Sequence, residues 1–275
     1  MFQWAAVARG YILNPPEFFG FNRKKCIEHL LRLTADRQRR DPLDGLYKDV
    51  LEGYFTQQES RRLFQSVVGQ LITSFEPLTI GSLTTLRQHA PFDGGDRDVV
   101  VILLRRLGSL LSNVNSSDES LPIIPLHTSF RDFLANKEKS GDFFVSLRDA
   151  HRHLAHSCLS LLLKDLKFNI CNLESSYLAN KDVEDLRSRV DKHIPPALLY
   201  ACRFWDDHLE HIDFETDLFV QLRSFFEKKF LFWLEALSIT SNVGLASAAL
   251  SALNVWLASV QVVSRIVCPM RKAKN

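Results

Sequence analysis

Apolar side chains recur along most of this chain at the three-to-four-residue interval of a helix. Between positions 42 and 73 two such stripes follow one another, Leu46, Tyr47, Val50, Leu51 and Tyr54, then Leu63, Phe64, Val67, Val68, Leu71 and Ile72. That spacing gathers the apolar groups on one face of a helix, so 42–73 is predicted to be an antiparallel helix pair joined near 56–58. Asp41-Pro42 marks its start, with a capping side chain followed by a proline whose missing N–H is not needed in the first turn. A helix near 23–33 makes the pair a small bundle.

Beyond the break at Glu76-Pro77, Ile80, Leu83 and Leu86 predict a short helix, and Pro91-Phe92-Asp93-Gly94-Gly95 forces a loop. Asp96 is placed to cap a second helix through Val99, Val100, Leu103, Leu104 and Leu107, ending near 111. A polar turn at 115–120 then precedes Leu121-Pro122-Ile123-Ile124-Pro125-Leu126. Two short strands around that turn make a β wing. Because Pro122 and Pro125 lack a ladder donor, the second strand is expected at an edge. Helix, helix, strand, turn, strand and a last helix through Phe130, Phe133 and Leu134 is the order of a winged-helix domain.

From 147 onward the pattern is helical throughout. Leu147, Leu154, Cys158, Leu161, Leu162 and Leu166 form one stripe, and Val183, Leu186, Val190 and Ile194 form another that stops at Pro195-Pro196. Leu198, Cys202, Trp205 and Leu209 continue it, then Leu218, Leu222, Phe225 and Phe226, then 231–257. No fixed period links these stripes, which excludes a regular solenoid. The expected fold is therefore mainly α: a helical bundle over 1–75, a winged-helix domain with a short β wing over 77–146, and an irregular helical domain over 147–275.

Composition narrows the function classes. With 275 residues, 46% of them apolar and 24% charged, the chain can bury a substantial core. Lys and Arg number 34 against 32 Asp and Glu, so the net charge of +2 creates no long-range field to gather nucleic acid or anionic membrane. The five cysteines are widely spaced, lie mostly in apolar runs and contain no Cys-x-x-Cys pair. That suits small core residues in a reducing, cytoplasmic setting, without structural zinc. The start, Met1-Phe2-Gln3-Trp4-Ala5-Ala6, lacks the basic region of a signal peptide. The run 243–263 approaches the roughly 20 residues of a membrane span. Asn254, Gln261 and its interspersed serines point instead to helix-on-helix packing.

Candidate chemistry is sparse. A phosphate-binding loop needs a glycine-rich turn ending in Gly-Lys-Ser or Gly-Lys-Thr, and none of the eleven glycines opens one. Gly94-Gly95 is followed by Asp96, which would repel phosphate. No catalytic residue is therefore assigned, and the chain is not expected to act as an enzyme or to hold a cofactor by itself. His151, His153 and His156 invite a metal, but on a helix only His153 and His156 share a face, so the cluster is expected to be solvated polar surface. Ser129, His127 and Asp132 lack the glycine-flanked strained turn that a hydrolase nucleophile uses. A DNA-reading helix offers basic and amide groups near its N-terminus, whereas the helix after Asp96 begins with Asp98 and a Val/Ile/Leu run.

Several stretches together resemble the large fungal NACHT proteins, signal-transducing ATPases in which a nucleotide-binding core is followed by a helical lid, a winged helix and a helical region. Phe2-Gln3-Trp4-Ala5-Ala6-Val7-Ala8 is similar to the end of the NACHT core, and Asp41-Pro42-Leu43-Asp44-Gly45-Leu46-Tyr47 to the lid. Leu126-His127-Thr128-Ser129-Phe130-Arg131-Asp132-Phe133-Leu134 is similar to the winged-helix signature. His151 with Leu154-Ala155, Asn169-Ile170-Cys171-Asn172-Leu173, Tyr200-Ala201-Cys202-Arg203-Phe204-Trp205 with His208-Leu209, and Phe232-Trp233-Leu234-Glu235-Ala236-Leu237-Ser238 resemble the downstream region. The similarity runs to about residue 250. The tail beyond Trp256 departs from it.

The resemblance implies a regulatory and interaction fragment whose nucleotide-binding half and sensor are missing, with ATP or ADP belonging to the full-length family. It implies a nucleotide-sensing role for His127 when that half is present, its imidazole donating to the diphosphate and holding a closed state. The related motif often carries an acid where Thr128 stands. Residues 1–12 and 43–55 are expected to leave apolar surface for a nucleotide-binding domain or another protein, and full-length relatives can form homo-oligomers. Neither nucleic acid nor membrane is expected as a partner. The alternatives are a winged-helix DNA-binding regulator and a truncated gene model of an ATPase that is active at full length.

Overall fold

The computed structural model describes residues 2–13, 23–35, 42–90, 96–175 and 177–271. The predicted cap Asp41 and the 91–95 loop lie outside them. Among the described residues there are fourteen α-helices and no β-strand, so the mainly α expectation holds. The chain divides into two compact units, one of residues 1–84 and 95–150, the other of 85–94 and 151–275.

In the first unit α1 (Phe2–Leu13), α2 (Arg23–Ala35) and α3 (Pro42–Tyr54) pack as a trio. Val7, Ala8 and Tyr11 of α1, Cys26 and Leu30 of α2, and Leu46 and Val50 of α3 are buried where these helices pack. Most of the apolar surface expected to await a partner is thus covered within the chain. Among the described side chains of this trio, Leu13, Ile27 and Leu31 are exposed, at 49%, 43% and 63%. The fourth helix, α4 (Gln58–Thr73), buries Phe64, Val67, Val68, Leu71 and Ile72, the stripe read from the sequence. It runs so close to the 145–150 segment that a Cβ on Gly69 would sit 3.1 Å from Val145 Cγ1 and 3.2 Å from Ala150 Cβ. Only glycine permits that approach without repacking.

Helices α5 (Ile80–Gln88) and α6 (Arg97–Arg106) follow, and the carboxylate of Asp96 accepts from the Asp98 N–H as the expected cap. Where two strands were expected around the 115–120 turn, the described residues hold only isolated antiparallel bridges: Leu111 to Pro125 across that turn, and Thr79, which precedes α5, to Pro122. The edge expectation for the second strand is wrong. Segment 122–126 lies between two partners: Ile123 N–H donates to Leu78 on one side, while Ser112 N–H donates to Ile124 and Leu126 N–H to Leu110 on the other. Backbone groups in an extended segment face alternate sides. Pro125 therefore removes the next donor toward Leu78, and Pro122 the next toward Ser112. Each proline cuts one ladder to a single bridge instead of sending the segment to the edge.

Helix α7 (Thr128–Ala135), the short α8 (Lys137–Ser140) and a 3-10 turn at Gly141–Phe143 complete the unit. Gly141 has φ +55°, the left-handed region where only glycine is free of strain. α3 and α4 grip this segment. Tyr47 packs at a tilt against Phe130 and Phe133 at 5.1 and 5.4 Å, Phe64 meets Phe143 edge-on at 5.7 Å, and Lys139 pairs with Asp44 at 2.8 Å. Arg61 bonds Asp142 and the Phe55 carbonyl.

Helix α9 (Leu147–Asp165) carries the chain into the second unit at His151, which continues through α10 (Leu186–His193), α11 (Pro196–Leu209), α12 (Thr216–Lys228), α13 (Phe230–Ile239) and α14 (Leu245–Arg271). Trp205, Phe225 and Trp233 form its aromatic centre, with ring centroids 5.4 to 5.9 Å apart. The stripe expected from 231 to 257 is broken by a turn in which Ser241 takes φ 59° and Asn242 N–H returns to the Leu237 carbonyl at 2.7 Å. Among the described residues no helix is long and apolar enough to cross a membrane.

Candidate functional site

His127 precedes α7 in extended conformation, φ −150° and ψ 144°, and caps that helix with its own ring. Its Nδ1 lies 3.0 Å from the Ser129 backbone nitrogen and 2.7 Å from Ser129 Oγ, which in turn lies 2.9 Å from Tyr47 Oη. A backbone N–H can only donate, so Nδ1 is the acceptor and the neutral ring carries its proton on Nε2. The Ser129 hydroxyl donates to the same Nδ1 and accepts from the buried Tyr47 hydroxyl, giving the chain one direction. Nε2–H is left without a hydrogen-bond partner among the described residues, on a half-buried ring facing away from the cap. One N–H donor held in a fixed orientation suits an acceptor oxygen on a phosphate or carboxylate. Among the described residues no carboxylate bonds the ring, so the Ser129, His127, Asp132 arrangement lacks a third member.

The structure corrects one expectation in the second unit. His151 and His156 are buried, at 6% and 3% exposure, where a solvated surface was anticipated. His151 Nδ1 meets His208 Nδ1 at 2.8 Å, and the far nitrogen of His208 meets Tyr200 Oη at 2.9 Å. His156 Nδ1–H donates to Gln221 Oε1 at 2.8 Å. No cluster of three or more metal-ligating side chains occurs among the described residues. The resemblance marked Tyr200 and His208 but not Gln221, and none of the pairings with α9 could be read from the sequence, because periodicity marks which residues face inward and not which helix they meet.

Other resemblance motifs also come together. Glu235 of α13 accepts from the backbone N–H groups of Asn169 and Ile170 at 3.1 and 3.2 Å, holding a loop whose Asn169 and Asn172 take positive φ. Trp233 Nε1–H donates to the Cys202 carbonyl at 2.8 Å in the core. Cys26, Cys158, Cys171 and Cys202 are free and buried, and burial raises each thiol, that of Cys202 to about 12. These thiols are poor nucleophiles. α6 turns Val99 and Ile102 to solvent at 45% and 53% and pairs Arg97 with Glu119 at 3.0 Å.

Asp206 of α11 is a buried acid, and among the described residues no cation pairs with it. Burial, then Asp207 and Glu210, push its carboxyl up to about 7. A carboxyl raised in the fold favours folding while protonated. Stability is therefore lost as pH rises from the unfolded value near 4 toward 7, by up to about 4 kcal/mol at pH 8 for a shift of three units. Asp206→Asn is expected to stabilise the chain at pH 8 by a large part of that amount and to flatten the slope between pH 4 and 7, as denaturant titrations at both pH values would record.

Comparison with known proteins returns no matching family model, no matching curated protein and no matching solved structure.

Proposed function

We propose that this chain is a non-catalytic regulatory module of a NACHT-type signalling NTPase, a lid bundle, winged helix and helical arm that close over a nucleotide held by a NACHT core. The observation that carries it is His127: its Nδ1 is consumed by the α7 cap and its Nε2–H is left as an oriented donor. A diphosphate oxygen is the acceptor this reading assigns to it. The order α4, Thr79, α5, α6, Leu111, turn, 122–126 supports a winged helix with strands shortened to bridges, and with 122–126 in the middle of three extended segments. Domains at 1–75, 77–146 and 147–275 follow from the resemblance, with α4 at the junction of the first two. Exposed Leu13, Ile27 and Leu31 offer the bundle's contact to the nucleotide-binding partner, and unbridged buried thiols fit a cytoplasmic setting.

A DNA-binding regulator is the weaker reading. The face that α6 would present to a groove carries Val99 and Ile102, and Arg97 is tied to Glu119. An ATPase completed by a nucleotide-binding half preceding residue 1 shares the module reading and differs only in gene structure.

The test is association with a separately produced NACHT nucleotide-binding domain. The chain alone is expected to take up neither ATP nor ADP in calorimetric titration, and to bind the ADP-loaded domain more tightly than the empty one. A low-micromolar Kd for ADP on the chain alone, about −8 kcal/mol, or association indifferent to ADP, contradicts the proposal.

A further inference from the structure

We propose that the corner of the second unit where α9 ends and α12 meets α13 is a contact surface for an anionic lipid membrane, entered by Phe168 and Leu231 while neighbouring lysines meet the headgroups. Phe168 and Leu231 are 77% and 72% exposed, so both large side chains project from the surface. Single exposed apolar residues are ordinary, but these two stand together on a built corner. Lys229, at the α12–α13 junction, donates from Nζ to the Leu166 carbonyl at 2.5 Å, one residue beyond α9. The Phe168 ring packs against Phe232 with centroids 6.5 Å apart, and Lys229 Nζ lies 5.9 Å from the centre of the same Phe232 ring. One turn on, Glu235 accepts from the Asn169 and Ile170 N–H groups. Residues four apart share a helix face, so Leu231 lies on the face of α13 that Glu235 turns toward 168–170.

Charge complementarity selects the partner. Segments 164–170 and 223–235 carry five Lys and Arg against three Asp and Glu, a net +2 that equals the charge of the whole chain. Of those acids, Glu227 pairs with Arg223 at 2.8 Å and Glu235 is held by the two backbone N–H groups, which leaves Asp165. Of the lysines, Lys164 donates to His89 Nε2 at 3.0 Å, while Lys167 and Lys228 are exposed and form no ion pair among the described residues. A lysine stem lies along apolar surroundings while its ammonium stays at headgroup level, so Lys167 and Lys228 can accompany the apolar side chains into a membrane interface. A protein partner fits less well, because lysine is depleted in protein interfaces and a projecting pair would need two matching pockets. A second copy would set the same lysines against one another. The whole-chain charge gathers no membrane from a distance, and the expectation of no membrane partner rested on that. This corner acts at contact, within a screening length of about 8 Å. It requires no membrane-crossing helix, and it stands independently of the reading of His127.

Flotation of the full chain with vesicles of phosphatidylcholine alone, and of phosphatidylcholine with about 30% phosphatidylserine, tests the surface. The chain is expected to float with the anionic vesicles only, and less of it at about 1 M salt. Phe168→Ser with Leu231→Ser, and Lys167→Glu with Lys228→Glu, are each expected to weaken binding about ten-fold, with helix content unchanged because all four side chains are exposed. Val255→Ser removes an equally exposed apolar side chain from α14 and should bind as the wild type does. Equal flotation with both vesicle types, unchanged binding in either double variant, or the same loss in Val255→Ser overturns the proposal. Flotation absent while polyglutamate beads retain the chain would give the surface to an acidic protein instead. Self-association of the free chain that the double serine variant abolishes would give it to a second copy.

Discussion

Trp233→Ala is expected to destabilise the second unit by about 3–5 kcal/mol, the cost of emptying a large buried aromatic site, and so to remove much of a domain's usual margin of about 5–15 kcal/mol. Trp233 is fully buried, packed on Trp205, Phe225 and Phe230, with its indole N–H on the Cys202 carbonyl. The substitution removes ring contacts from three helices and the indole N–H bond to a carbonyl that keeps its own partner within α11, a loss of about 0.5–1.5 kcal/mol. Trp233→Phe separates the two terms, since it keeps most of the ring and loses the hydrogen bond. Trp205 provides the contrast: its Nε1 is buried with no partner among the described residues, so Trp205→Phe should cost less than Trp233→Phe. Chemical denaturation followed by tryptophan fluorescence ranks the four proteins. A Trp233→Ala midpoint equal to that of the wild type would show that the aromatic centre does not hold this unit.

The helices were legible because each buries one face, so the 3.6-residue period survives in the sequence. α7 and α11 bury the whole of the stripes that mark them, and α3, α4 and α9 bury all but Tyr54, Leu63 and Leu147, which are half-buried. The 231–257 run misled because it is apolar on all sides, and what ends α13 is a turn through Ser241 and Asn242 with no proline to announce it. The edge placement of 122–126 failed for a different reason. Prolines show which donors are missing, but whether that exiles a strand to an edge or trims ladders on both sides depends on register, which local sequence does not encode.

The candidate site was legible in part. His127 was marked by the resemblance of its motif, while its use as the α7 cap is seen only in the structure, since histidine is not among the usual capping residues. The fixed direction of Tyr47, Ser129 and His127 was not, since Tyr47 is 82 positions from Ser129 in the chain. The buried histidines were misjudged because helical spacing within α9 says nothing of what α11 brings to meet it. An imidazole facing a neighbouring helix's imidazole is stable inside a protein where a lone one is not.

In an assembly of this chain with a NACHT nucleotide-binding domain, His127→Ala is expected to release ADP about ten-fold or more faster. A charge-assisted N–H to phosphate hydrogen bond is worth roughly 1.5–3 kcal/mol, and a tenfold change in the closed-to-open ratio corresponds to about 1.4 kcal/mol. In the chain alone the same substitution removes only a helix cap, about 1 kcal/mol. His127→Asp divides the two roles: a carboxylate caps α7 at least as well as the imidazole, and repels phosphate. Its stability should therefore return to that of the wild type while its release is faster than that of the alanine variant. The direct measurement is the release rate of fluorescent ADP from wild-type, His127→Ala and His127→Asp assemblies. The account predicts a rising order across the three, with Asp the fastest. Equal rates in all three would contradict it and leave His127 a helix cap.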